Sequence, residues 1–110
     1  MTTLQEFKRL AGKLFIDGSF RQSKATAMFD IVEPATEDVI GQVADATDEE
    51  VDEAIEIAAR ARKTWNANDA RSRAVTLHDI AAVIRRDKAL YAEYLTREEG
   101  KPFKESVDEV

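Results

Sequence analysis

The hydrophobic pattern of this chain changes period at Thr47, and the change divides its 110 residues into two parts. In residues 13–44, short apolar runs alternate with turn dipeptides and a proline, which is typical of strands. From Thr47 onward, apolar residues recur at the spacing of one helix face. The sequence therefore predicts β-hairpins followed by about four helices.

Two hairpins are predicted in the first part. The apolar run 14–16 is followed by Asp17-Gly18, a dipeptide typical of tight hairpin turns, and residues 19–21 form the returning strand. The second hairpin pairs residues 29–33 with residues 39–44. Pro34 ends the first of these strands or places it at an edge.

Local signals also define the helices. Thr47 and Glu50 form a T-x-x-E capping box, and Asp69 and Asp87 are predicted to cap the second and third helices. The predicted apolar faces of these three helices are Val51, Ala54, Ile55, Ala58 and Trp65; Leu77, Ile80, Ala81 and Ile84; and Leu90, Tyr91, Tyr94 and Leu95. We expect Trp65 to anchor a core.

Gly100 is predicted to close the third helix, and Pro102 to open a fourth. The apolar stripe of this last helix includes Val107 and reaches Val110, with no stop signal after it. We therefore expect the helix to continue past Val110 and the chain to be a fragment of a larger protein.

Composition excludes several classes of function. The formal net charge of −6 argues against nucleic acid as a partner, because phosphate binding needs a basic face. There is no cysteine, which excludes a disulfide framework, a zinc–thiolate site and a thiol nucleophile on these residues. No apolar run has membrane-spanning length and no signal peptide is evident, so we expect no membrane partner and a cytoplasmic location.

The residues themselves indicate no active site. The single histidine, His78, is predicted to lie at the surface or its boundary rather than to act as a base. The four glycines are too dispersed for a phosphate-binding loop. The acidic run at 48–53 has the spacing of a helix N-terminus with a solvated face, and that interpretation is favoured over a metal site.

Six motifs in order nevertheless resemble one family. They are Phe15-Ile16-Asp17-Gly18-Ser19-Phe20; Phe29-Asp30-Ile31-Val32-Glu33-Pro34-Ala35-Thr36; Val39-Ile40-Gly41-Gln42-Val43; Asp52, Ala54, Ala58, Ala59 and Trp65; Arg73-Ala74 with Leu77, Ile80 and Ala81; and Glu98-Glu99-Gly100-Lys101-Pro102. Residues 14–110 resemble the N-terminal part of the aldehyde dehydrogenase superfamily, whose fold is α/β. Gly100-Lys101-Pro102 followed by Glu105 and Glu109 favours the succinate-semialdehyde-like branch.

The resemblance implies an oxidoreductase that uses NAD or NADP to oxidise a small-molecule aldehyde to a carboxylic acid, usually as a homo-oligomer. It implies that residues 1–12 are a lead-in and residues 13–110 are the first segment of the cofactor-binding domain, truncated at the C-terminus. The family's cysteine nucleophile, its glutamate base and its nucleotide loop match no position here. We therefore expect this chain alone to be inactive and to bind no cofactor, with no catalytic or cofactor-binding residue.

One family site does map onto the chain. In some relatives a monovalent cation is held by main-chain carbonyls and a carboxylate at positions that match Ile31, Val32 and Glu98. Oxygen ligands suit such a hard cation. The alternative is that Glu98 only caps or pairs at a helix end. Arg73 matches a family arginine to which the resemblance assigns a buried salt bridge.

Two departures from the family pattern lie in one turn. Glu33 stands where the family usually has asparagine, and Glu37 where it usually has glycine. A positive φ at Glu37 would cost about 1 kcal/mol relative to glycine.

Two functions remain open for the chain as a whole. The first is the inactive N-terminal portion of an aldehyde dehydrogenase. The second is a stand-alone, non-catalytic interaction module that reuses the fold and self-associates through exposed apolar faces.

Overall fold

The computed structural model describes residues 2–110, which form four strands and five helices. In chain order these elements are α1 (Thr3–Leu10), β1 (Lys13–Ile16), β2 (Ser19–Gln22), β3 (Met28–Val32), β4 (Val39–Ala44), α2 (Asp48–Ala67), α3 (Ala70–Arg86), α4 (Lys88–Glu99) and α5 (Phe103–Glu109). The predicted α/β class is confirmed, and four helices follow the hairpins as predicted, but α1 precedes them.

Both hairpins form as predicted. β1 and β2 pair antiparallel through a two-residue turn in which Asp17 and Gly18 both have positive φ, 55° and 74°. That geometry matches the twist of the flanking strands and explains the Asp-Gly dipeptide. β3 and β4 form a second two-stranded antiparallel sheet, with a register shift between Ile31 and Val32.

The turn between β3 and β4 contains the backbone strain that the sequence predicts. Glu37 has φ 63°, a left-handed conformation that glycine adopts without cost, and its N–H donates to the carbonyl of Glu33 at 2.8 Å. The hydrogen bond holds the turn closed despite the side chain.

Most of the predicted helix ends are confirmed, and one is wrong. Thr47 and Glu50 form the capping box of α2, Asp69 accepts from the N–H of Ser72 at the start of α3, and Gly100 ends α4 with φ 74°. Asp87 does not cap α4, because its carboxylate pairs with Arg86 instead. Asp87 is the one residue between α3 and α4.

Helix α1 lies within residues 1–12, for which the sequence predicts only a lead-in. Its signal is a second capping box, in which Thr2 accepts from the N–H of Gln5 while the Gln5 side chain accepts from the N–H of Thr2. Helix α1 therefore begins with the same kind of capping box as α2.

A small core forms where α1 crosses β4 and α4. Phe7 is buried there, with its ring edge-on to Tyr94 at a centroid distance of 5.2 Å. Gly41 lies under Phe7, since an added Cβ at Gly41 would be 3.0 Å from the Phe7 Cβ. The other buried apolar residues are Ile16, Ile40 and Ala92.

The chain is extended for its size. Its radius of gyration is 16.8 Å, whereas a compact domain of this length has about 13 Å. Its accessible surface is 8157 Å², against about 6,100 Å² expected for a folded monomer of this mass. The chain therefore exposes roughly a third more surface than a finished domain.

Much of the exposed surface is apolar and lies on the predicted helix faces. Val51 and Ile55 of α2 are 46% and 61% exposed, and Leu77 of α3 is 58% exposed. Trp65, predicted as a core anchor, is 37% exposed, so within residues 2–110 it does not anchor a core and that prediction is wrong here. None of the helices in residues 2–110 combines the length and apolarity needed to cross a membrane.

Candidate functional site

The side chains capable of proton transfer or nucleophilic attack all have structural roles or lie in solvent. His78 is exposed on α3, as predicted. The hydroxyl of Ser23 donates to Glu50 at 2.7 Å and that of Ser72 donates to Asp69 at 2.8 Å. Both partner carboxylates also accept from backbone N–H groups at a helix start, so these two serines have structural roles.

Glu50 is the most buried carboxylate, with 3% of its surface exposed. It accepts hydrogen bonds from the N–H of Lys24 at 2.8 Å, the Ser23 hydroxyl at 2.7 Å and the N–H of Thr47 at 3.1 Å. These donors, the Lys24 N–H first, hold the pKa of Glu50 below its ordinary value despite burial. The carboxylate thus joins the β2–β3 loop to the start of α2.

The rest of the acidic run at the start of α2 also lacks the geometry of a metal site. Glu53 pairs with Arg21 of β2 at 2.5 Å. Across residues 2–110, no group of three or more histidine or acidic side chains is arranged to hold a metal ion. Asp48, Glu49 and Asp52 are exposed, as predicted for a solvated face, whereas Glu50 is buried.

The best-connected polar cluster, here called the Arg97 junction, consists of Arg97, Glu33, Glu93 and Thr3. The Arg97 guanidinium donates to Glu33 at 3.0 Å and to Glu93 at 3.1 Å, and the Thr3 hydroxyl donates to Glu93. Thr3 and Arg97 lower the pKa of the Glu93 carboxyl. The junction holds α1, the β3–β4 turn and α4 together.

Sequence reasoning missed the Arg97 junction. Its one signal was Glu33 in place of the family's asparagine, because a carboxylate can pair with a guanidinium and an amide cannot. The partner lies 64 residues later in the chain, and no local pattern indicates it.

The end of α4 is close to the same turn. A Cβ added at Gly100 would be 3.1 Å from the Pro34 Cβ, so the glycine permits close contact as well as the left-handed turn. On either side of Gly100, the hydroxyls of Thr96 in α4 and Ser106 in α5 are 2.9 Å apart and connect the two helices. The Gly-Lys-Pro stretch therefore lies against the Glu33-Pro34 turn.

Glu98, the predicted cation ligand, lies on the same last turn of α4. It lines an open groove of about 460 Å³ with Ile84, Tyr91, Tyr94, Leu95 and Val110. Burial, and then the charge of Glu99, raise the pKa of its carboxyl. Ile31 pairs with Gly41 and Val32 with Val39 in the hairpin beside the Arg97 junction. The cation site itself stays a prediction.

Arg73 forms no salt bridge within residues 2–110; its guanidinium donates to the carbonyl of Asn68. Arg73 thus helps to close the turn between α2 and α3, and the buried ion pair that the family resemblance assigns to it stays a prediction. Three of the four glycines lie at separate turns, and Gly41 lies in β4.

Comparison with known proteins gives these residues a context. The sequence model described as the Aldehyde dehydrogenase family matches residues 20–110. The chain belongs to the aldehyde dehydrogenase family. It is 36% identical over 107 residues to the malonate-semialdehyde dehydrogenase of Bacillus subtilis (strain 168), covering 97% of this chain and 22% of that protein.

Two other aldehyde dehydrogenases are also similar to this chain. The NADP-dependent glyceraldehyde-3-phosphate dehydrogenase of Arabidopsis thaliana is 38% identical over 98 residues, covering 89% of this chain and 20% of that protein. The crystal structure of betaine aldehyde dehydrogenase from Staphylococcus aureus in complex with NAD+ superimposes with a TM-score of 0.85 at 29% identity, over 98% of this chain and 22% of that one. This aldehyde dehydrogenase chain thus spans about a fifth of the length of the curated relatives it matches.

Proposed function

We propose that this chain is the non-catalytic N-terminal scaffold of an NAD(P)-dependent aldehyde dehydrogenase. The observation that carries the proposal is the 36% identity over 97% of the chain to one fifth of a malonate-semialdehyde dehydrogenase. On this proposal residues 1–12, including α1, are the lead-in, and residues 13–110 are the first segment of the cofactor-binding domain.

The chemistry of the parent enzyme lies outside these residues. The family reaction needs a thiolate to attack the aldehyde and a cofactor to take a hydride, and the chain has no cysteine. The parent uses NAD or NADP, in keeping with the NADP named for the Arabidopsis relative and the NAD+ bound in the Staphylococcus structure. The contribution of this chain is to hold hairpins and outer helices in place.

For the substrate class we propose a short aldehyde that carries an anionic group. Malonate semialdehyde and glyceraldehyde 3-phosphate, named for the Bacillus and Arabidopsis relatives, share that feature, whereas betaine aldehyde belongs to a less similar protein. Succinate semialdehyde, favoured by the Gly100-Lys101-Pro102 motif, falls in the same class, although neither of those relatives is named for it. The parent is proposed to be cytoplasmic and homo-oligomeric, on composition and exposed apolar surface.

The monovalent cation at Ile31, Val32 and Glu98 is retained as a proposal. It is supported by the chemistry of the donors, two carbonyls and a partly desolvated carboxylate, and by the contact between the end of α4 and the Glu33-Pro34 turn. Soaking crystals of the chain with Rb⁺ should give an anomalous peak beside Glu98 that Glu98→Gln abolishes. Absence of a peak in the unsubstituted chain would remove the site.

The alternative, a stand-alone interaction module, is favoured by one observation, the exposed apolar faces of α2 and α3. The nucleotide sequence after the Val110 codon distinguishes the two functions. If the scaffold proposal holds, the reading frame continues past the Val110 codon into a segment with a cysteine-bearing motif. A stop codon there, with no aldehyde dehydrogenase sequence downstream, would favour the module.

A further inference from the structure

The positive charge of this chain is concentrated at the corner where α2 meets α3. Residues 60–73 carry five basic side chains and one acidic side chain, whereas the other 96 residues carry 11 basic and 21 acidic ones. The net charge of −6 therefore conceals a basic segment. Its cationic and aromatic side chains, here called the corner patch, are Arg60, Arg62, Lys63, Trp65, Arg71 and Arg73.

The two halves of the corner patch lie close together in the structure. Helix α2 ends at Ala67 and α3 begins at Ala70, so only two residues join the helices. The Arg73 guanidinium donates to the carbonyl of Asn68, which brings the first turn of α3 against the end of α2. Cations from both helices therefore surround the same corner.

Most cations of the corner patch have no counter-charge on the chain. Within residues 2–110, no ion pair involves Arg62, Lys63 or Arg71. The acidic residue of the segment, Asp69, accepts hydrogen bonds from the N–H and the hydroxyl of Ser72 at the start of α3. The positive charge is therefore available to an external anion.

The acidic run at the start of α2 is too distant to neutralise the corner patch. Residues 48–53 lie about 13 Å or more from Arg62 along the helix axis. Exposed charges separated by more than about 8 Å are largely screened at physiological salt. Glu56 is closer, but it approaches the exposed Arg60 only to 4.0 Å. The corner is therefore locally positive although the whole chain is acidic.

Trp65 adds an aromatic surface to these cations. Its side chain is 37% exposed, and Arg62 lies three residues earlier, next to it on the surface of α2. The other apolar side chains of residues 60–73 are alanines. A membrane anchor needs a larger apolar face, whereas single-stranded nucleic acid is bound by basic side chains together with aromatic rings on which bases stack. The patch therefore fits a single strand better than a lipid surface.

We propose that the corner patch binds single-stranded nucleic acid without sequence preference, through contacts of its cations with phosphates and stacking of a base on Trp65. The total charge argues against such a partner only if the charge is evenly spread, and here it is not. The proposal concerns the surface of the chain itself and does not depend on the assignment of the chain as an enzyme scaffold.

The intrinsic fluorescence of Trp65 gives a direct test, because it is the only tryptophan in the chain. Titration with oligo(dT) of about 15 nucleotides at about 50 mM salt should quench this fluorescence in a saturable way. About three to five phosphate contacts should give a slope of log K against log salt of about −2 to −3.5. Absence of saturable quenching, or affinity independent of salt, would overturn the proposal.

Charge reversal separates the corner patch from the charge of the whole chain. Arg62→Glu should weaken oligo(dT) binding at least about fivefold at about 50 mM salt, because a phosphate contact is lost. Arg85→Glu changes the net charge equally at an exposed position about 22 Å along α3 from its start, and should change the affinity less than about twofold. Equal losses in the two variants would rule out a localised site.

Substitution of Trp65 tests the stacking contact. With a fluorescein-labelled oligo(dT) and anisotropy as the readout, Trp65→Leu should bind about fivefold or more weakly, with its salt slope unchanged. Trp65→Phe keeps an aromatic ring and should retain most of the affinity, which separates stacking from a general disturbance of the fold. Unchanged binding by Trp65→Leu would contradict the stacking contact.

Vesicles of phosphatidylglycerol distinguish a membrane surface from nucleic acid. Insertion of Trp65 into a bilayer would shift its emission to shorter wavelength, whereas stacking on a base quenches it. We expect quenching by oligo(dT) and no blue shift with vesicles. A blue shift with vesicles and no response to oligo(dT) would assign the corner patch to membranes and overturn the proposal.

Discussion

At the scale of single residues, the Glu33–Glu37 turn shows how much can be inferred from a departure from a family pattern. The missing glycine predicted a strained residue, and Glu37 does have φ 63°. The replacement of the family's asparagine by Glu33 indicated only that the contacts of residue 33 differ from those in the family. The partner of Glu33 could not be predicted, because Arg97 is distant in sequence and an ion pair leaves no periodic signal.

Replacing Glu37 by glycine should stabilise the chain. The change removes the left-handed penalty of about 1 kcal/mol, and the entropy that glycine adds to the unfolded chain offsets about half of it, for a net gain of about 0.5 kcal/mol in the free energy of unfolding. Urea denaturation followed by circular dichroism measures it. Asp38→Gly is the control and should be neutral or destabilising, so an equal gain at both positions would contradict the strain argument.

Glu50 gives a prediction for the pH dependence of stability. Hydrogen bonds to its carboxylate lower its pKa in the folded chain, so the unfolded chain takes up the proton more readily as pH falls. Glu50 therefore stabilises the fold fully above the pKa of an unfolded glutamate, about 4.3, and this contribution is lost as the pH falls through its folded pKa. Thermal melts of Glu50→Gln should show less loss of Tm on acidification than the unsubstituted chain, whereas Glu56→Gln, at an exposed position, should follow the unsubstituted chain.

At the scale of elements, the turns and helix starts that depend on residues close together in the sequence were predicted correctly. The Asp17-Gly18 turn and the capping box of Thr47 and Glu50 each act within four residues, and both were confirmed. The same logic applied to α1, whose capping box at Thr2 was present in the sequence but was not interpreted as a helix start. Asp87 failed as a cap because its neighbour Arg86 competes for the carboxylate.

The Arg97 junction is the contact between elements that is easiest to test. Arg97→Ala removes two charge-assisted hydrogen bonds and leaves the partly buried Glu33 carboxylate without its guanidinium partner, at a cost of about 1–2 kcal/mol. Thermal or urea unfolding measures this loss. Arg60→Ala, which removes an exposed arginine with a 4.0 Å pair, should cost less than about 0.5 kcal/mol. Equal losses would mean that the junction does not hold the elements together.

At the scale of the whole molecule, the apolar helix faces of this chain are more extensive than its own elements bury. Its helix faces were predicted correctly as apolar, yet residues such as Trp65 are not buried. Periodicity indicates which side of a helix avoids water, but not whether an element is present to cover that side. The same limit applies to the site: that the family's chemistry lies outside these residues stays a prediction.

The central claim is that this chain is scaffold for an aldehyde dehydrogenase whose chemistry lies in other segments, and fragment complementation tests it most directly. The chain would be refolded with malonate-semialdehyde dehydrogenase from Bacillus subtilis that lacks the matching segment, and formation of reduced cofactor from malonate semialdehyde would be followed. We expect no turnover from either part alone and measurable turnover from the mixture. Ala92→Asp, which places a charge at a fully buried position of this chain, should abolish the rescue. Turnover by the chain alone, or no turnover from a mixture of two folded parts, would contradict the account.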